Sequence, residues 1–273
     1  GFQKLNDMEI PFFKFHGALN DFVVLDGRSQ QVPKPSTELV QRLCDRRGGV
    51  GADGVIVLQA ESETLRMVYF NSDGKEGSMC GNGGRCFAAF ARMLGLAGEQ
   101  VDFEAYDGPH RAFVLASHNN QYTVQLEMAD VNGFEYLNNC MVLDTGSPHY
   151  ITFVDDVDAV DVFNEGKSIR YSERFAKDGI NVNFVQPTSG ALHIRTYERG
   201  VEAETMACGT GSVAAAISAY ESGLAPSSNN IIIQTRGGQL QVAFEKKDGA
   251  YHHVTLTGPA EFVFKGFFQY DGI

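Results

Sequence analysis

Short apolar runs, broken by glycine, aspartate and asparagine, dominate the pattern of hydrophobic and polar positions along this chain. Runs of this kind, rich in β-branched and aromatic residues, predict β-strands bounded by turns. In the first half the predicted strands are Glu9–Phe15, Asp21–Asp26, Gly54–Gln59, Leu65–Asn71, Val101–Ala105, Arg111–Ala116 and Tyr122–Met128. In the second half they are Met141–Asp144, His149–Val154, Ile180–Gln186, Leu192–Glu198, Asn230–Thr235, Gln239–Lys246 and His253–Thr257.

Two stretches interrupt the strand pattern because they are apolar on nearly every side, Cys86–Leu96 and Val213–Tyr220. A surface helix shows a single apolar stripe, so a helix that is apolar all round is predicted to be buried. Gly95 and Gly223 stand where a left-handed cap would end each helix. A further helix is predicted after the capping sequence Pro35-Ser36-Thr37. Each half is therefore expected to be a curled, mainly antiparallel sheet around a central helix.

The two central helices belong to a repeated unit. Cys80-Gly-Asn-Gly83 and Cys208-Gly-Thr-Gly211 precede them, and the two cysteines are 128 residues apart. Gly95 and Gly223, which open two copies of the tripeptide Gly-Leu-Ala, are separated by the same 128 residues. Two copies of one unit in the same register indicate a duplicated domain. We expect an α/β chain of two pseudo-symmetric domains. Their predicted bounds are residues 8–128 with a returning strand at 262–273, and residues 129–261.

Composition narrows the class of protein. The chain has 273 residues, 43% hydrophobic and 21% charged, which is enough for two globular cores. Its net charge of −12 argues against nucleic acid or an anionic membrane as a partner. No apolar run is long enough to span a membrane, and residues 1–10 lack the basic start and apolar core of a secretory signal.

The five cysteines form no disulfide framework or metal-finger spacing. We therefore expect reduced thiols, no metal site and a cytoplasmic location.

The repeated cysteines lie immediately before glycine-rich helix starts. Amide N–H groups in a first helical turn lack helical acceptors and carry partial positive charge. This environment lowers the pKa of a thiol and also binds a carboxylate. Cys80 and Cys208 are therefore predicted to be an acid and a base for the α-proton of an amino acid. One thiolate would remove the proton, and the other thiol would return one to the opposite face.

Other interpretations remain open on the residues alone. Two small buried hydrophobes at tight turns, or the two thiols of a redox-regulated binding protein, would share the cysteine pattern. The pair Glu198-Arg199 fits a solvated ion pair as well as a binding site, and a lone histidine such as His149 is more often structural. The other cysteines lack a glycine-rich helix start and are predicted to be structural: Cys44, Cys86 and Cys140.

Several motifs in a fixed order make the chain resemble the diaminopimelate epimerases, which convert L,L-diaminopimelate to the meso form without a cofactor. The matching stretches cover nearly the whole chain from Met8 onward: Lys14–Phe22, Arg47–Gly54, Asn71–Cys86, Gly146–Tyr150, Ile180–Phe184 and Tyr197–Gly211. The resemblance implies two similar α/β domains with the active site in the cleft between them, and Cys80 and Cys208 as the acid/base pair. It also implies an amino-acid substrate, a homodimer, and a place in lysine and peptidoglycan precursor synthesis.

The resemblance implies roles for further residues. The helix-start groups that would hold the reacting carboxylate are those of Gly81, Asn82, Gly209 and Thr210. The residues that would bind the amino-acid head at the distal, non-reacting centre are Asn20, Asn71, Asn181, Glu198 and Arg199. His149 and Glu198 would help to set the protonation of the thiols.

Three positions depart from the pattern of the family. Ser147 stands where asparagine is common, Ala18-Leu19 where Leu-Gly is usual, and Gly54 where some members have glutamine. Each departure puts one substrate contact in question and leaves the chemistry intact.

The nearest alternative is a proline or hydroxyproline racemase or epimerase of the same fold. Such enzymes typically carry histidine where this chain has Asn82. They also have no second amino-acid head to bind, whereas the pair Glu198-Arg199 suits one. A phenazine-pathway isomerase of related fold would lack the paired cysteines.

Overall fold

The computed structural model of the chain describes residues 8–227 and 230–271. The last two residues of the predicted returning strand, 272–273, lie outside this part of the chain. The fold divides into two compact units. The first takes the chain up to Val124 and again from Ala260, and the second is Gln125–Pro259.

The first unit contains strands from both ends of the chain. Its elements in order are β1 (Met8–Gly17), β2 (Asn20–Asp26), α1 (Thr37–Cys44), β3 (Gly54–Glu61), β4 (Thr64–Asn71), β5 (Glu76–Gly77), α2 (Gly81–Met93), β6 (Gln100–Ala105), β7 (Gly108–His118) and the start of β8 (Gln121–Glu127). Helix α1 begins as predicted, because the Ser36 side chain caps it by accepting a hydrogen bond from the Leu39 N–H.

The second unit has a similar succession of strands and helices. Its elements are β9 (Glu135–Leu137), β10 (Cys140–Asp144), β11 (Pro148–Phe153), a 3-10 helix (Val157–Ala159), α3 (Val162–Arg170), β12 (Asn181–Pro187), β13 (Leu192–Glu198), β14 (Ala203–Thr205), α4 (Gly209–Glu221), β15 (Ile231–Gln234), β16 (Gln239–Lys247) and β17 (Ala250–Tyr270). From Ala260 onward, β17 belongs to the first unit, where it pairs antiparallel with β1.

Strand pairing repeats between the units. In the first, β2 runs parallel to β3 with Phe22 opposite Gly54. In the second, β11 runs parallel to β12 with Tyr150 opposite Val182, and both residues are displaced by 128 positions from their counterparts. The parallel pair of β4 and β6 recurs as β13 and β15. Antiparallel pairs such as β3–β4 and β12–β13 separate them. The predicted pair of pseudo-symmetric, mainly antiparallel domains is confirmed.

A buried helix forms the core of each unit. Helix α2 packs against β1, β2, β3, β6 and β7, and α4 packs against β10 to β13, β15 and β16. The Phe90 ring of α2 lies 4.9 Å from that of Phe13 and 5.8 Å from that of Phe15. Both helices begin before their apolar stretches, at Gly81 and Gly209, directly after the cysteines, as the glycine-rich helix starts predict. The glycine-rich turns are themselves the first helical turns, which glycine content hides from a propensity argument.

The sequence pattern misses helix α3 and the short strands β5, β9 and β14. A glycine inside α3, Gly166, weakens its helical signal. This glycine is needed for packing, since a Cβ there would lie 2.5 Å from the Cβ of Tyr197. The Asp161 side chain caps the helix by accepting from the Asn164 N–H at 3.2 Å. Among the described residues, no helix has the length and apolar character needed to cross a membrane.

Both central helices end at the predicted glycines. Gly95 has φ 72° and Gly223 has φ 69°, both in the left-handed region. The following amides close the caps, with Leu96 N–H donating to the Ala91 carbonyl at 3.0 Å and Leu224 N–H to that of Ala219 at 2.8 Å. This pattern is the one expected of a glycine-terminated helix.

We expect Gly95→Ala to lower the free energy of unfolding by about 1 kcal/mol, because a side chain is strained at positive φ. A Cβ at Gly95 would meet no atom within 4 Å, so the loss would come from the backbone alone. Gly98→Ala is the matched control in the same loop, since it is equally open and has no positive φ. Urea denaturation should show a loss in the first variant and none in the second. Equal losses in both would contradict a backbone origin.

Candidate active site

Cys80 and Cys208 are the N-cap residues of α2 and α4. Both have extended backbones, with φ/ψ of −103°/153° and −128°/115°. Their carbonyls accept the first helical hydrogen bonds, from the N–H groups of Gly84 and Ser212. Both thiols are half-buried. Each predicted thiol therefore stands at a helix start, where backbone N–H groups and the helix dipole favour negative charge.

Glycines let each sulfur lie over its helix start. The Cys80 Sγ accepts a hydrogen bond from the Gly83 N–H at 3.2 Å. A Cβ at Gly83 would lie 3.1 Å from that sulfur, and a Cβ at Gly211 would lie 3.3 Å from the Cys208 sulfur. Side chains at these two positions would crowd the thiols, which explains why the repeated motif carries glycine there.

The other three cysteines are in a different environment. All are buried. Burial raises the pKa of Cys44 to about 12 and raises that of Cys86 further still. The Cys140 thiol donates to the carbonyl of Leu137. Buried and outside both helix starts, these three thiols are poorly placed to meet a ligand.

A series of hydrogen bonds links the first helix start to the exposed Asp53 on one side and to the buried Arg85 on the other. Asn82 donates through Nδ2 to Asn20 Oδ1 at 3.1 Å, and Asn20 donates through Nδ2 to Asp53 Oδ2 at 2.7 Å. At the other end, the fully buried Arg85 donates through Nη2 to Asn82 Oδ1 at 2.8 Å. Burial lowers the pKa of Arg85 to about 10, so the guanidinium keeps its charge at pH 7. The structure thus joins two residues implied as ligands, Asn20 and Asn82.

A cluster of charged side chains stabilises the Asp53 end of this series of hydrogen bonds. Asp21 accepts from Lys14 Nζ at 2.7 Å and from both terminal nitrogens of Arg46, at 2.8 and 2.9 Å. Arg46 also donates to Asp53 at 2.9 Å. Burial alone would raise the pKa of Asp21, but the hydrogen bonds from Arg46 and Lys14 hold it well below its ordinary value. The cluster fixes Asp53, and through it the amide of Asn20.

Asn71, at the end of β4, hydrogen-bonds within its own turn. Its backbone N–H donates to the Lys75 carbonyl at 2.9 Å, and the Gly74 N–H donates back to Asn71 at 2.9 Å. Across the strand pair it faces Gly54. A Cβ at Gly54 would lie 2.5 Å from Tyr69 Cε2 and 2.8 Å from its hydroxyl. A tyrosine therefore fills the space that a larger side chain at position 54 would take, which accounts for this departure.

In the second unit, Asn181 and Arg199 meet at Ser147. Asn181 donates through Nδ2 to Ser147 Oγ at 2.8 Å and to the Pro148 carbonyl at 3.0 Å. Its Oδ1 accepts from the Arg199 backbone N–H at 2.8 Å. Arg199 Nη2 lies 3.5 Å from the Ser147 hydroxyl. The serine that departs from the family pattern thus uses its hydroxyl to hold both neighbours.

Glu198 and His149 complete the predicted set. Glu198 accepts through Oε2 from the Thr205 hydroxyl at 2.8 Å. His149 is fully buried, and its Nε2 lies 2.8 Å from Thr210 Oγ1, in the first turn of α4. Burial and the positive charge of Arg199 lower the pKa of His149 to about 3, so the ring is neutral at pH 7.

The third departure, Ala18-Leu19, forms the two-residue turn between β1 and β2. Gly17 pairs with Asn20 across this turn, and both central residues have positive φ, 50° and 64°. Turns of this geometry match the twist of a hairpin and favour asparagine or glycine. The turn places Asn20 directly at the start of β2.

Sequence reasoning misses several residues that hold the implied site residues in place, directly or through a neighbour: Lys14, Arg46, Asp53, Arg85 and Asn183, whose Nδ2 lies 2.9 Å from His149 Nδ1. A signal existed for some of them, since charged residues embedded in a glycine-rich turn between buried strands are unusual for an ordinary loop. Within residues 8–227 and 230–271, no three side chains of His, Cys, Asp or Glu group as metal ligands would.

The fold and these helix starts together define a class of duplicated α/β proteins with a cysteine at the start of each buried central helix. The sequence model of the family described as diaminopimelate epimerase matches residues 12–132 and 141–263. The chain belongs to the diaminopimelate epimerase family.

Individual relatives in this family are similar to the chain over nearly its whole length. A diaminopimelate epimerase of Flavobacterium psychrophilum is 46% identical over 255 residues, which is 93% of this chain and 98% of the relative. One of Chlorobaculum tepidum is 43% identical over 260 residues, 92% of this chain and 98% of the relative.

Solved structures share the fold at low sequence identity. A phenazine biosynthesis protein of the PhzF family from Bacillus anthracis has a TM-score of 0.68 at 15% identity, covering 95% of this chain and 98% of its own. A probable proline racemase from Agrobacterium radiobacter has a TM-score of 0.65 at 14% identity, with 94% and 92% covered. At this identity the likeness extends to the fold alone.

We expect Asp21→Asn to lower the free energy of unfolding at pH 7 by about 3 kcal/mol, because it removes the carboxylate that holds the buried Lys14. The pKa of Asp21 is depressed in the folded state. Its contribution is therefore full above the ordinary carboxyl pKa of about 4 and is lost as the pH falls further. Urea denaturation across pH should show the difference between wild type and variant shrink on acidification.

Asp102→Asn is the control for this experiment. Asp102 forms an ion pair with Arg111, but its side chain is 55% exposed against 16% for Asp21. We expect a loss under about 1 kcal/mol for such a surface pair. Losses of the same size in the two variants would contradict the anchoring role of Asp21.

Proposed function

We propose that the protein interconverts L,L- and meso-diaminopimelate by moving the proton of one α-carbon between two cysteines. The observation that carries this proposal is the pair of N-cap cysteines, one at each buried helix start, in a chain whose halves both match the family. The names of the relatives that are 46% and 43% identical support the substrate.

In the proposed reaction, a thiolate takes the α-proton and becomes a thiol. The electron pair left on Cα spreads into the adjacent carboxylate, where the first-turn amides of α2 and α4, at Gly81, Asn82, Gly209 and Thr210, would stabilise it. The second thiol then gives its proton to the opposite face of Cα and becomes a thiolate. One proton leaves and one enters, so there is no change of oxidation state and no cofactor is called for.

The second amino-acid head of diaminopimelate would bind at the distal residues. Arg199, held by Asn181 and Ser147, suits a carboxylate, and the neighbouring carboxylate of Glu198 suits an ammonium group. Asn20 and Asn71 of the first unit would contribute further polar contacts. Proline and hydroxyproline have no such second head. The structural likeness to a probable proline racemase, at 14% identity, therefore gives the alternative little support.

The same proposal includes the setting of the reaction. Diaminopimelate is a precursor of lysine and of peptidoglycan, so we place the enzyme in those syntheses, in the cytoplasm. The substrate is a small amino acid, and the net charge of −12 is unsuited to nucleic acid or an anionic membrane. A second copy of the chain is the expected protein partner.

Incubation of the reduced protein with L,L-diaminopimelate, followed by chiral separation, tests the substrate. We expect the meso isomer to accumulate to equilibrium, and D- and L-proline and hydroxyproline to remain unchanged. Conversion of proline with diaminopimelate left untouched would overturn the assignment in favour of the alternative.

Cysteine variants test the two-base chemistry. We expect Cys80→Ala and Cys208→Ala each to lower kcat by about 10²-fold or more while thermal unfolding stays close to wild type, because each removes an acid or base in one step. Cys140→Ala is the matched control, a buried thiol outside both helix starts, and should keep nearly full turnover. Near-normal turnover in either helix-start variant would rule out the two-base model.

A further inference from the structure

Asn183 is a fully buried polar residue of β12 with an assignable side-chain orientation. Its Nδ2 lies 3.2 Å from the Tyr150 carbonyl and 3.4 Å from the Asn181 carbonyl. Carbonyl oxygens only accept hydrogen bonds, so this end of the amide carries the hydrogens. At the other end, Oδ1 lies 2.8 Å from the hydroxyl of Thr196, which donates to it. Both ends of the amide are therefore fixed by their surroundings.

This orientation decides the protonation of His149. The same Nδ2 of Asn183 lies 2.9 Å from His149 Nδ1. Because Nδ2 donates, Nδ1 must accept, and the single proton of the neutral ring is then on Nε2. Arg199 is the charged group that acts on the ring, and its positive charge adds to burial in disfavouring a second proton.

The proton on Nε2 in turn decides the role of Thr210. Nε2 lies 2.8 Å from Thr210 Oγ1, so the hydroxyl accepts from the ring. The hydroxyl keeps one proton and one lone pair, and the Cys208 sulfur lies 3.6 Å away. A thiolate can only accept, so the hydroxyl proton would point to it, whereas a thiol could donate into the lone pair. The bond to the thiolate is charge-assisted and the stronger of the two.

These groups pack around one glycine without spare room. A Cβ at Gly211 would lie 2.6 Å from Asn183 Oδ1, 3.2 Å from His149 Cε1 and 3.3 Å from the Cys208 sulfur. We call the series Asn183, His149, Thr210 and Cys208 the relay. Its side chains pack as a single block, so none of them can shift far without moving the others.

We propose that Asn183 is a positioning residue that holds His149 as its Nε2–H tautomer, so that Thr210 offers its hydroxyl proton to Cys208 in the thiolate state. This inference rests on the proposed catalytic role of Cys208. It gives Thr210 a function through its side chain, in addition to its backbone, and it gives His149 a fixed function as a neutral donor. In the first unit, Asn82 holds the corresponding position, two residues after Cys80, and is fixed by Arg85 and Asn20.

¹⁵N NMR of histidine-labelled protein tests the tautomer directly, with the His149 signal identified by its loss in His149→Gln. We expect a neutral ring protonated on Nε2 at pH 7. In Asn183→Leu, which removes the donor at Nδ1, we expect a measurable fraction of the Nδ1–H form. Ser218→Ala, a buried substitution on α4 outside the relay, should leave the signal unchanged. A wild-type ring protonated on Nδ1, or doubly protonated, would overturn the proposal.

The rate of alkylation of Cys208 by iodoacetamide, followed by mass spectrometry of its peptide, tests the last step. We expect Thr210→Val to lower this rate at pH 7 by about tenfold and to move its pH profile to higher pH, because the thiolate loses a donor. Thr210→Ser should restore the wild-type profile, and Cys80 should be little affected in either variant. An unchanged Cys208 profile in Thr210→Val would contradict the relay.

Neither readout needs a substrate, so the two hypotheses can fail separately. Loss of the relay signatures with full epimerase activity would remove the role of Asn183 and leave the proposed function standing. Intact signatures in a protein inert towards diaminopimelate would remove the proposed function on which the catalytic meaning of the relay rests.

Discussion

The first turn of a buried helix contains backbone N–H groups that the surrounding fold must satisfy. A helix wrapped by a sheet on every side leaves its first-turn N–H groups in a dry environment, where leaving them unsatisfied is costly. In α2 and α4 the turn opens with glycines and is capped by a cysteine of extended conformation. The first-turn N–H groups, which are costly to leave unsatisfied when the chain folds, can thus stabilise negative charge on a thiolate or on a bound carboxylate.

The two units meet this constraint with different chemistry. The residue two positions after the cysteine is anchored in both, but Asn82 is held by a buried guanidinium and an amide, whereas Thr210 is held by a neutral imidazole. The first unit adds the ion cluster around Asp21, and the second adds the amide of Asn183. Duplication has therefore preserved the backbone geometry of the helix start while the surrounding polar groups diverged. Such divergence would let the two equivalent thiols differ in acidity.

Much of the fold could be predicted from the sequence, because the strands are short β-branched and aromatic runs bounded by turn residues and the central helices are apolar all round. The 128-residue repeat indicates the duplication, and Gly95 and Gly223 indicate where the central helices end. The apolar stretches begin only at Cys86 and Val213, after the helix starts at Gly81 and Gly209, because glycine at three of positions 81–84 and at two of positions 209–211 argues against helix on a propensity scale. The packing helix α3 was missed for the same reason. Cys80 and Cys208 could be predicted as site residues because they occupy the same position in the two repeats. Asn183 could not, because only the fold brings its side chain to His149.

Removal and return of the α-proton by two different thiols would leave its mark on the early distribution of deuterium between substrate and product. Wild-type protein would be mixed with L,L-diaminopimelate in D₂O, and both isomers analysed by mass spectrometry before a tenth of the substrate has reacted. We expect the meso product to carry one deuterium at its new centre while the remaining substrate is unlabelled, because the second thiol, which returns the proton, has exchanged with the solvent. Meso product that retains the original proton would mean that a single base carries it across, and would rule out a reaction with two thiols.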